Sequence, residues 1–234
     1  MLDTLNTING YVWGLPLIIL VLGTGILLTV RLGLIQVLKL PMALKLIFTA
    51  ESEGEGDVNS FKALCTALAA TVGTGNIVGV ATALKAGGPG ALFWMWLAAF
   101  FGMATKYAEC MLAVKFRKVD KNGNIAGGPM HYIEMGLGKN YKFLAILFAI
   151  FGIGSACLGV GTFAQINSIV EITQISAGIP VIYTGIALTV LVGVVTIGGL
   201  KSIASVAEKI VPGMALIYLV ATLGVLVANA DQVP

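Results

Sequence analysis

Long apolar stretches recur along the whole chain and alternate with short polar segments. Most are close to the length of about 20 residues that a helix needs to cross a bilayer. The stretch 143–176 would be about 50 Å long as one helix, so it must tilt or bend, and the glycines of GIGSACLGVGT allow a bend. The pattern predicts six crossings, over residues 14–30, 61–84, 91–114, 143–176, 180–198 and 211–229. The sequence therefore predicts an all-α integral membrane protein with a single transmembrane domain over residues 1–234.

The composition agrees with a bilayer environment. Of the 234 residues, 58% are hydrophobic and 11% are charged, whereas charged residues make up about 25% of a typical soluble domain. Residues 1–11 contain no Lys or Arg, and no small-residue cleavage site follows, so the first apolar stretch is expected to be a helix and not a signal peptide. The three cysteines lie inside apolar stretches, and their odd number argues against a disulfide framework or a metal cluster.

The positive charges are distributed as in the loops of such a bundle. Most of the fourteen Lys and Arg residues lie after the first apolar stretch, after the third, and between the fifth and the sixth. Because cytoplasmic loops carry the excess of Lys and Arg, this distribution predicts that both ends of the chain lie outside. The net charge of +3 reflects the same bias, and it gives no indication of nucleic-acid binding.

The second apolar stretch contains an interruption, ATVGTGN, which ends at Asn76. Lipid offers no partner to a freed N–H or C=O group, so a break in a membrane helix is tolerated where the backbone is buried in protein or lines a polar cavity. Gly73 and Gly75 allow the chain to leave helical dihedral angles, which exposes carbonyls of the first half-helix and amides of the second. Carbonyl oxygens suit a dehydrated Na⁺ ion, and amides at a helix N-terminus suit a carboxylate. With the polar side chains of Thr71, Thr74 and Asn76, the break predicts a site for a cation and an amino acid.

Other interpretations of these small and charged residues stay open. Gly75 and Gly79 are four residues apart, as on helix faces that pack closely, although the clustering of GTGN favours a site over a packing face. Lys106 and Glu109 in the third apolar stretch are either a proton relay or, as we favour, a neutralised i, i+3 pair. The sequence contains no Ser–His–Asp set, metal cluster or phosphate-binding loop, so an enzyme is not expected.

Three motifs together resemble one family of membrane transporters. These are GTGN in the second apolar stretch, AGGPGALFWMW before the third, and AGGPMHYIEMGLG after it. They resemble the alanine/glycine:cation symporters, also called sodium:alanine symporters. The break ATVGTGN is also similar to the AVGLGN break of leucine-type neurotransmitter:sodium symporters, so the resemblance implies the LeuT (APC superfamily) fold, which is built from inverted repeats. Residues 14–30 would be an extra N-terminal helix, and residues 61–229 the first five-helix repeat.

Carried over by position, the resemblance implies one site with two parts. Backbone carbonyls near the end of the first half-helix are expected to hold the sodium ion. The substrate carboxylate is expected to meet amides of the second half-helix, with a glutamine of the long tilted helix facing it across the site. The expected substrate-binding residues are Thr71, Gly73, Thr74, Gly75, Asn76 and Gln165, and the expected sodium ligands are Ala69, Val72 and Asn76.

The resemblance implies sodium-coupled symport of alanine or glycine across the plasma (inner) membrane, by alternating access around the broken helix. Na⁺ would be the coupling ion, and the amino acid and the lipid bilayer the partners. A LeuT-like core needs two five-helix repeats and the second is missing here, so the chain is expected to be the N-terminal half of a symporter. The alternative is a non-transporting membrane subunit or a channel-like helical bundle, in which the glycines serve only for packing.

Overall fold

The structure of the chain is a computed structural model that describes residues 2–49, 58–119, 125–158 and 162–230. By its internal contacts the chain divides into two compact units. The first unit comprises Met1–Leu44 and Val80–Leu158, and the second comprises Lys45–Gly79 and Gly159–Pro234. The helices are α1 (Leu2–Val12), α2 (Leu15–Arg31), α3 (Ile35–Leu38), α4 (Leu40–Thr49), α5 (Ser60–Thr71), α6 (Val78–Gly87), α7 (Gly90–Lys115), α8 (Pro129–Leu137), α9 (Lys142–Cys157), α10 (Phe163–Ala177), α11 (Val181–Ile197) and α12 (Gly199–Ala228), with short 3-10 helices at Thr74–Asn76 and Lys139–Tyr141.

Helices long and apolar enough to cross a membrane account for much of the described chain. Four qualify by length and composition: Asp3–Arg31, Gly90–Lys115, Lys139–Cys157 and Gly199–Ala228. A fifth span results if Ser60–Thr71 and Thr74–Gly87, which are bent by 66° at a short break, are counted as one. The predicted crossing at residues 180–198 is α11, which has only 17 residues. The described chain thus supports four or five spans, and the count of six remains a prediction.

Several helix boundaries differ from the hydropathy pattern. The stretch 143–176 is not one helix, because α9 ends at Cys157 and α10 begins at Phe163; of the segment expected to bend, residues 159–161 lie outside the described residues. The segment before residue 211, expected as a loop, is the first part of α12 and contains Lys201 and Lys209. At 30 residues α12 is about 45 Å long, more than the roughly 30 Å of hydrocarbon, so its charged end can extend into the headgroup region.

The all-α prediction misses one short hairpin. Strands β1 (Lys118–Val119) and β2 (Ile125–Ala126) pair antiparallel, with Lys118 opposite Ala126. Two AGGP motifs form turns, as the sequence predicts: Gly88, with φ of +66°, lies between α6 and α7, and Gly128, with φ of +115°, precedes α8. Positive φ angles favour glycine because it lacks a Cβ atom.

In the first unit, α2 packs along α7, and a glycine makes this possible. A Cβ atom added to the buried Gly25 would lie 2.8 Å from Phe101 Cβ and 2.9 Å from the Phe101 carbonyl oxygen. Small residues let membrane helices approach in this way. At the end of α2 the buried Thr29 hydroxyl accepts a hydrogen bond of 2.9 Å from Gln36 Nε2.

We expect Gly25→Ala to lower the unfolding temperature of the detergent-solubilised protein, because overpacking of a close contact costs about 1–3 kcal/mol. Gly23→Ala is the matched control in the same helix, since a Cβ atom there meets nothing within 4 Å. Thermal unfolding followed by scanning fluorimetry measures both, and equal temperatures for the two variants would contradict a close contact at Gly25.

In the second unit, α5 packs mainly along α12. The fully buried Cys65 of α5 forms a small core with Ala207 and Val211 of α12, and Phe61 and Leu68 pack against it. Helix α10 packs on α11 and α11 on α12, and α10 also contacts the 3-10 helix Thr74–Asn76. This last contact brings the predicted glutamine to the predicted break.

Candidate functional site at the helix break

The predicted interruption is present and has a defined backbone geometry. Helix α5 begins with a side-chain cap, in which Asn59 Oδ1 accepts from the Lys62 N–H at 2.8 Å. It ends at Thr71, and Val72 then adopts an extended conformation with φ of −88° and ψ of 109°. Gly73 is extended as well, after which the 3-10 helix begins at Thr74. The chain therefore changes direction within two residues.

The side chain of Asn76, which follows the break, caps a backbone amide at the break. The Gly73 N–H, which would bond to the Ala69 carbonyl if α5 continued, donates instead to Asn76 Oδ1 at 2.9 Å. The Asn76 N–H returns a bond of 3.0 Å to the Gly73 carbonyl. As a result the Ala69 carbonyl loses its helical donor and becomes available to another partner.

The three amides expected to receive a carboxylate are not equivalent. The Gly73 amide is already bonded to Asn76. The amides of Thr74 and Gly75 open the 3-10 helix, where the first N–H groups have no intrahelical acceptor, and neither donates to another residue of the described ranges. Thr74 is half-buried and Gly75 is exposed, so these two groups are the free donors at the break.

Conformational freedom, which the sequence suggested as the role of Gly73 and Gly75, does not explain why glycine occupies these positions. Gly73, with φ of −149° and ψ of −167°, has an extended backbone that any residue adopts, and Gly75 does not have a positive φ. At position 73 a close approach favours glycine, because an added Cβ atom would lie 3.3 Å from Gln165 Nε2 and 3.8 Å from Gln165 Cγ. At Gly75 an added Cβ meets nothing within 4 Å.

Gln165 brings an unsatisfied acceptor to the break. It lies near the start of α10 and is half-buried. Its Oε1 atom is buried and has no hydrogen-bond partner among the described residues, whereas buried polar atoms are almost always paired. An N–H donor held between Gln165 and Gly73 would satisfy it.

The remaining predicted residues lie nearby, with different surroundings. Ala69 and Val72 line a cavity of about 260 Å³ whose other walls are apolar side chains of α11 and α12. Apolar walls offer nothing to a cation, so only backbone carbonyls there can act as ligands. The Thr71 hydroxyl donates to the Ala67 carbonyl at 2.6 Å and is therefore engaged within α5. The Asn76 side chain is exposed, and its Oδ1 keeps a second lone pair.

A second polar cluster lies in the first unit. Lys106 Nζ and Glu109 Oε2 are 3.0 Å apart, which confirms the i, i+3 pair favoured from the sequence. Glu109 lines a cavity of about 380 Å³ together with Thr105 and Tyr132. Burial raises the pKa of the Tyr132 hydroxyl, as does the negative charge of Glu109, whereas Lys106 opposes the rise. His131, next to Tyr132, lies in α8, which begins at Pro129.

Apolar helices of membrane-spanning length, together with a helix pair that is broken within an apolar stretch, are typical of secondary transporters, which bind ions and small solutes at such breaks. The chain belongs to the sodium:alanine symporter family, whose family model matches residues 1–234. This confirms the resemblance read from the three motifs. The family is one of symporters, so the expectation that the chain is not an enzyme is also confirmed.

Individual relatives agree with this assignment. The chain is 56% identical over 230 residues to an uncharacterized transporter of Haemophilus influenzae, covering 98% of this chain and 50% of the relative. It is 50% identical over 232 residues to the sodium/alanine symporter AgcS of Methanococcus maripaludis, with 97% and 51% covered. It is 42% identical over 235 residues to the putative sodium/proton-dependent alanine carrier protein YrbD of Bacillus subtilis, with 100% and 47% covered. The chain thus spans about half the length of the curated relatives it matches.

Proposed function

We propose that this chain forms the first half of a sodium-coupled symporter for small neutral amino acids, alanine or glycine. The protein works in the plasma membrane, by alternating access around the break between α5 and α6. The observation that carries the proposal is the hydrogen bond from the Gly73 N–H to Asn76, which turns the backbone away from Ala69. In this proposal the fold is LeuT-like, with residues 14–30 as an extra helix, residues 61–229 as the first repeat, and a second repeat completing the site.

The coupling ion is a substrate of this site. Its ligands are the carbonyls of Ala69 and Val72 and the second lone pair of Asn76 Oδ1. Unwound carbonyls at the end of a half-helix are the usual Na⁺ ligands of such transporters. Three oxygens are fewer than a dehydrated cation needs, so the rest come from the substrate or from the remaining half of the protein.

The amino acid lies on the other side of the break. The free amides of Thr74 and Gly75 receive its carboxylate, helped by the dipole of the second half-helix. The unpaired Oε1 of Gln165 accepts from its ammonium group, which satisfies the buried acceptor. Coupling follows from the shared segment: if Na⁺ tightens amino-acid binding by some factor, the amino acid tightens Na⁺ binding by the same factor.

The test is counterflow of labelled alanine into liposomes that contain the full-length protein of which this sequence is part. We expect uptake that saturates, requires Na⁺ and is blocked by unlabelled glycine. Replacing Na⁺ by K⁺ at constant pH, and then imposing a proton gradient without Na⁺, separates sodium from proton coupling. Uptake that does not saturate would favour the channel-like alternative, and uptake driven by protons alone would contradict the sodium assignment.

A further inference from the structure

The first half of the broken helix needs an external support. Helix α5 has 12 residues and ends at the break, so the continuing chain does not hold it in line. Its main neighbour is α12. Cys65, only 2% exposed, is buried there against Ala207 and Val211. The position of α5 is therefore set chiefly by its contact with α12.

An ion pair joins the same two helices beside this core. Lys62 Nζ lies 3.3 Å from Glu208 Oε2, and the two side chains are 31% and 29% exposed. Lys62 and Cys65 are three residues apart and so share one face of α5, and Glu208 follows Ala207 directly in α12. Ion pair and core thus form one contact between the two helices.

The other end of α5 is packed more loosely. Ala69 and Val72, which carry the carbonyls of the break, border the apolar cavity of about 260 Å³ that α12 also lines. Residues 69–71 at this end of the helix are exposed, whereas Lys62 is half-buried and Cys65 is buried. The placement of these carbonyls is therefore decided at the start of α5, where Lys62 and Cys65 are held.

We propose that Lys62 and Glu208 are positioning residues, whose ion pair fastens α5 to α12 and so sets the position of the carbonyls that end α5. The inference rests on the proposed function for its consequence in transport, because those carbonyls are the proposed Na⁺ ligands. Neither residue touches the ion or the amino acid. Weakening the pair separates α5 from α12 more often and lowers the apparent Na⁺ affinity, while the preference between alanine and glycine is unchanged.

Cys65 supplies a direct measure of this separation. Replacing the two exposed thiols with Cys110→Ser and Cys157→Ser leaves it as the one cysteine of this sequence, and any cysteine elsewhere in the full-length protein is replaced likewise. The rate of its modification by N-ethylmaleimide is measured over a pH series, so that a change in thiol ionisation is distinguished from a change in accessibility. We expect Lys62→Met to raise the accessibility about two- to fivefold, the range that partly exposed ion pairs support. Lys62→Arg and the charge reversal Lys62→Glu with Glu208→Lys should restore the original rate.

The matched control is Lys106→Met, which breaks the 3.0 Å pair with Glu109 in the other unit and should leave the Cys65 rate unchanged. In transport, Lys62→Met should raise the half-saturating Na⁺ concentration by a similar factor without lowering the maximal rate. An unchanged Cys65 rate in a folded Lys62→Met variant, or no restoration by the charge reversal, would overturn the inference. A Cys65 rate that follows the ion pair while Na⁺ affinity does not change would support the fastening and count against the cation site.

Discussion

Replacing Asn76 by Ala should raise the half-saturating Na⁺ concentration for alanine uptake about tenfold or more. The substitution removes the acceptor of the Gly73 N–H. This amide can then donate to the Ala69 carbonyl, which is no longer available to bind the cation. The substitution also removes a proposed ligand directly. A hydrogen bond contributes about 0.5–1.5 kcal/mol net, and 1.4 kcal/mol corresponds to a factor of ten. The lost cap and the lost ligand together therefore account for the expected effect. The measurement is initial uptake against Na⁺ concentration in liposomes.

Two variants separate the break from general destabilisation. Asn76→Asp keeps an oxygen that caps Gly73, so it should retain more Na⁺ affinity than Asn76→Ala. Asn59→Ala removes a cap of nearly the same length, 2.8 Å, from the other end of the same helix. It should cost about 0.5–2 kcal/mol of helix stability without a tenfold loss of Na⁺ affinity. An Asn76→Ala variant with the Na⁺ dependence of the wild type would contradict the cation site at the break, on which the proposed function rests.

Replacing Gly73 by Val should abolish most of the saturable alanine uptake, whereas Gly73→Ala should reduce it only severalfold. The backbone at Gly73 is extended and tolerates any residue, so the effect comes from contact. An added Cβ atom would lie 3.3 Å from Gln165 Nε2, and the flexible amide can move by a few tenths of an ångström. The branched side chain in Gly73→Val needs more space and displaces Gln165 from the break. The measurement is the initial rate of uptake at saturating Na⁺, recorded over a range of alanine concentrations.

The control for this prediction is Gly79→Ala, in α6, where an added Cβ meets nothing within 4 Å. That variant should transport normally. The pair Gly73→Ala with Gln165→Ala forms a double-mutant cycle, since the two residues are in contact. If the two single losses simply add up, the contact between Gly73 and Gln165 does not carry the effect and the assignment of Gln165 fails.

Hydropathy predicted the long helices well, because about 20 apolar residues in lipid leave the backbone few alternatives to a helix. The hydropathy pattern placed helix boundaries wrongly in segments that mix polar and apolar residues. Residues 3–12 join α2 in one span of 29 residues, and Lys201 and Lys209 lie within α12. The hairpin at Lys118 and Ala126 was missed because two-residue strands show no periodicity.

The break itself was predictable, since its glycines, threonine and asparagine are adjacent in sequence. Its internal geometry was not. That Asn76 caps Gly73 depends on one side-chain rotamer, and the approach of Gln165 to Gly73 depends on how α10 packs. The Lys62–Glu208 pair was missed because its members are far apart in sequence. Charges at or near the ends of predicted apolar stretches, as these two are, also resemble ordinary interfacial charges. Tertiary packing, which the sequence pattern does not contain, decides the last two.

The proline within α12 has a mechanical consequence. Pro212 has no N–H group, so the carbonyl of Glu208, four residues earlier, loses its helical hydrogen bond and the helix is softened at that turn. This turn is the one that carries the partner of Lys62. Bending stiffness along α12 is therefore lowest where α5 is attached, and any force that bends α12, including that of a thicker or thinner bilayer, is transmitted to the start of the broken helix.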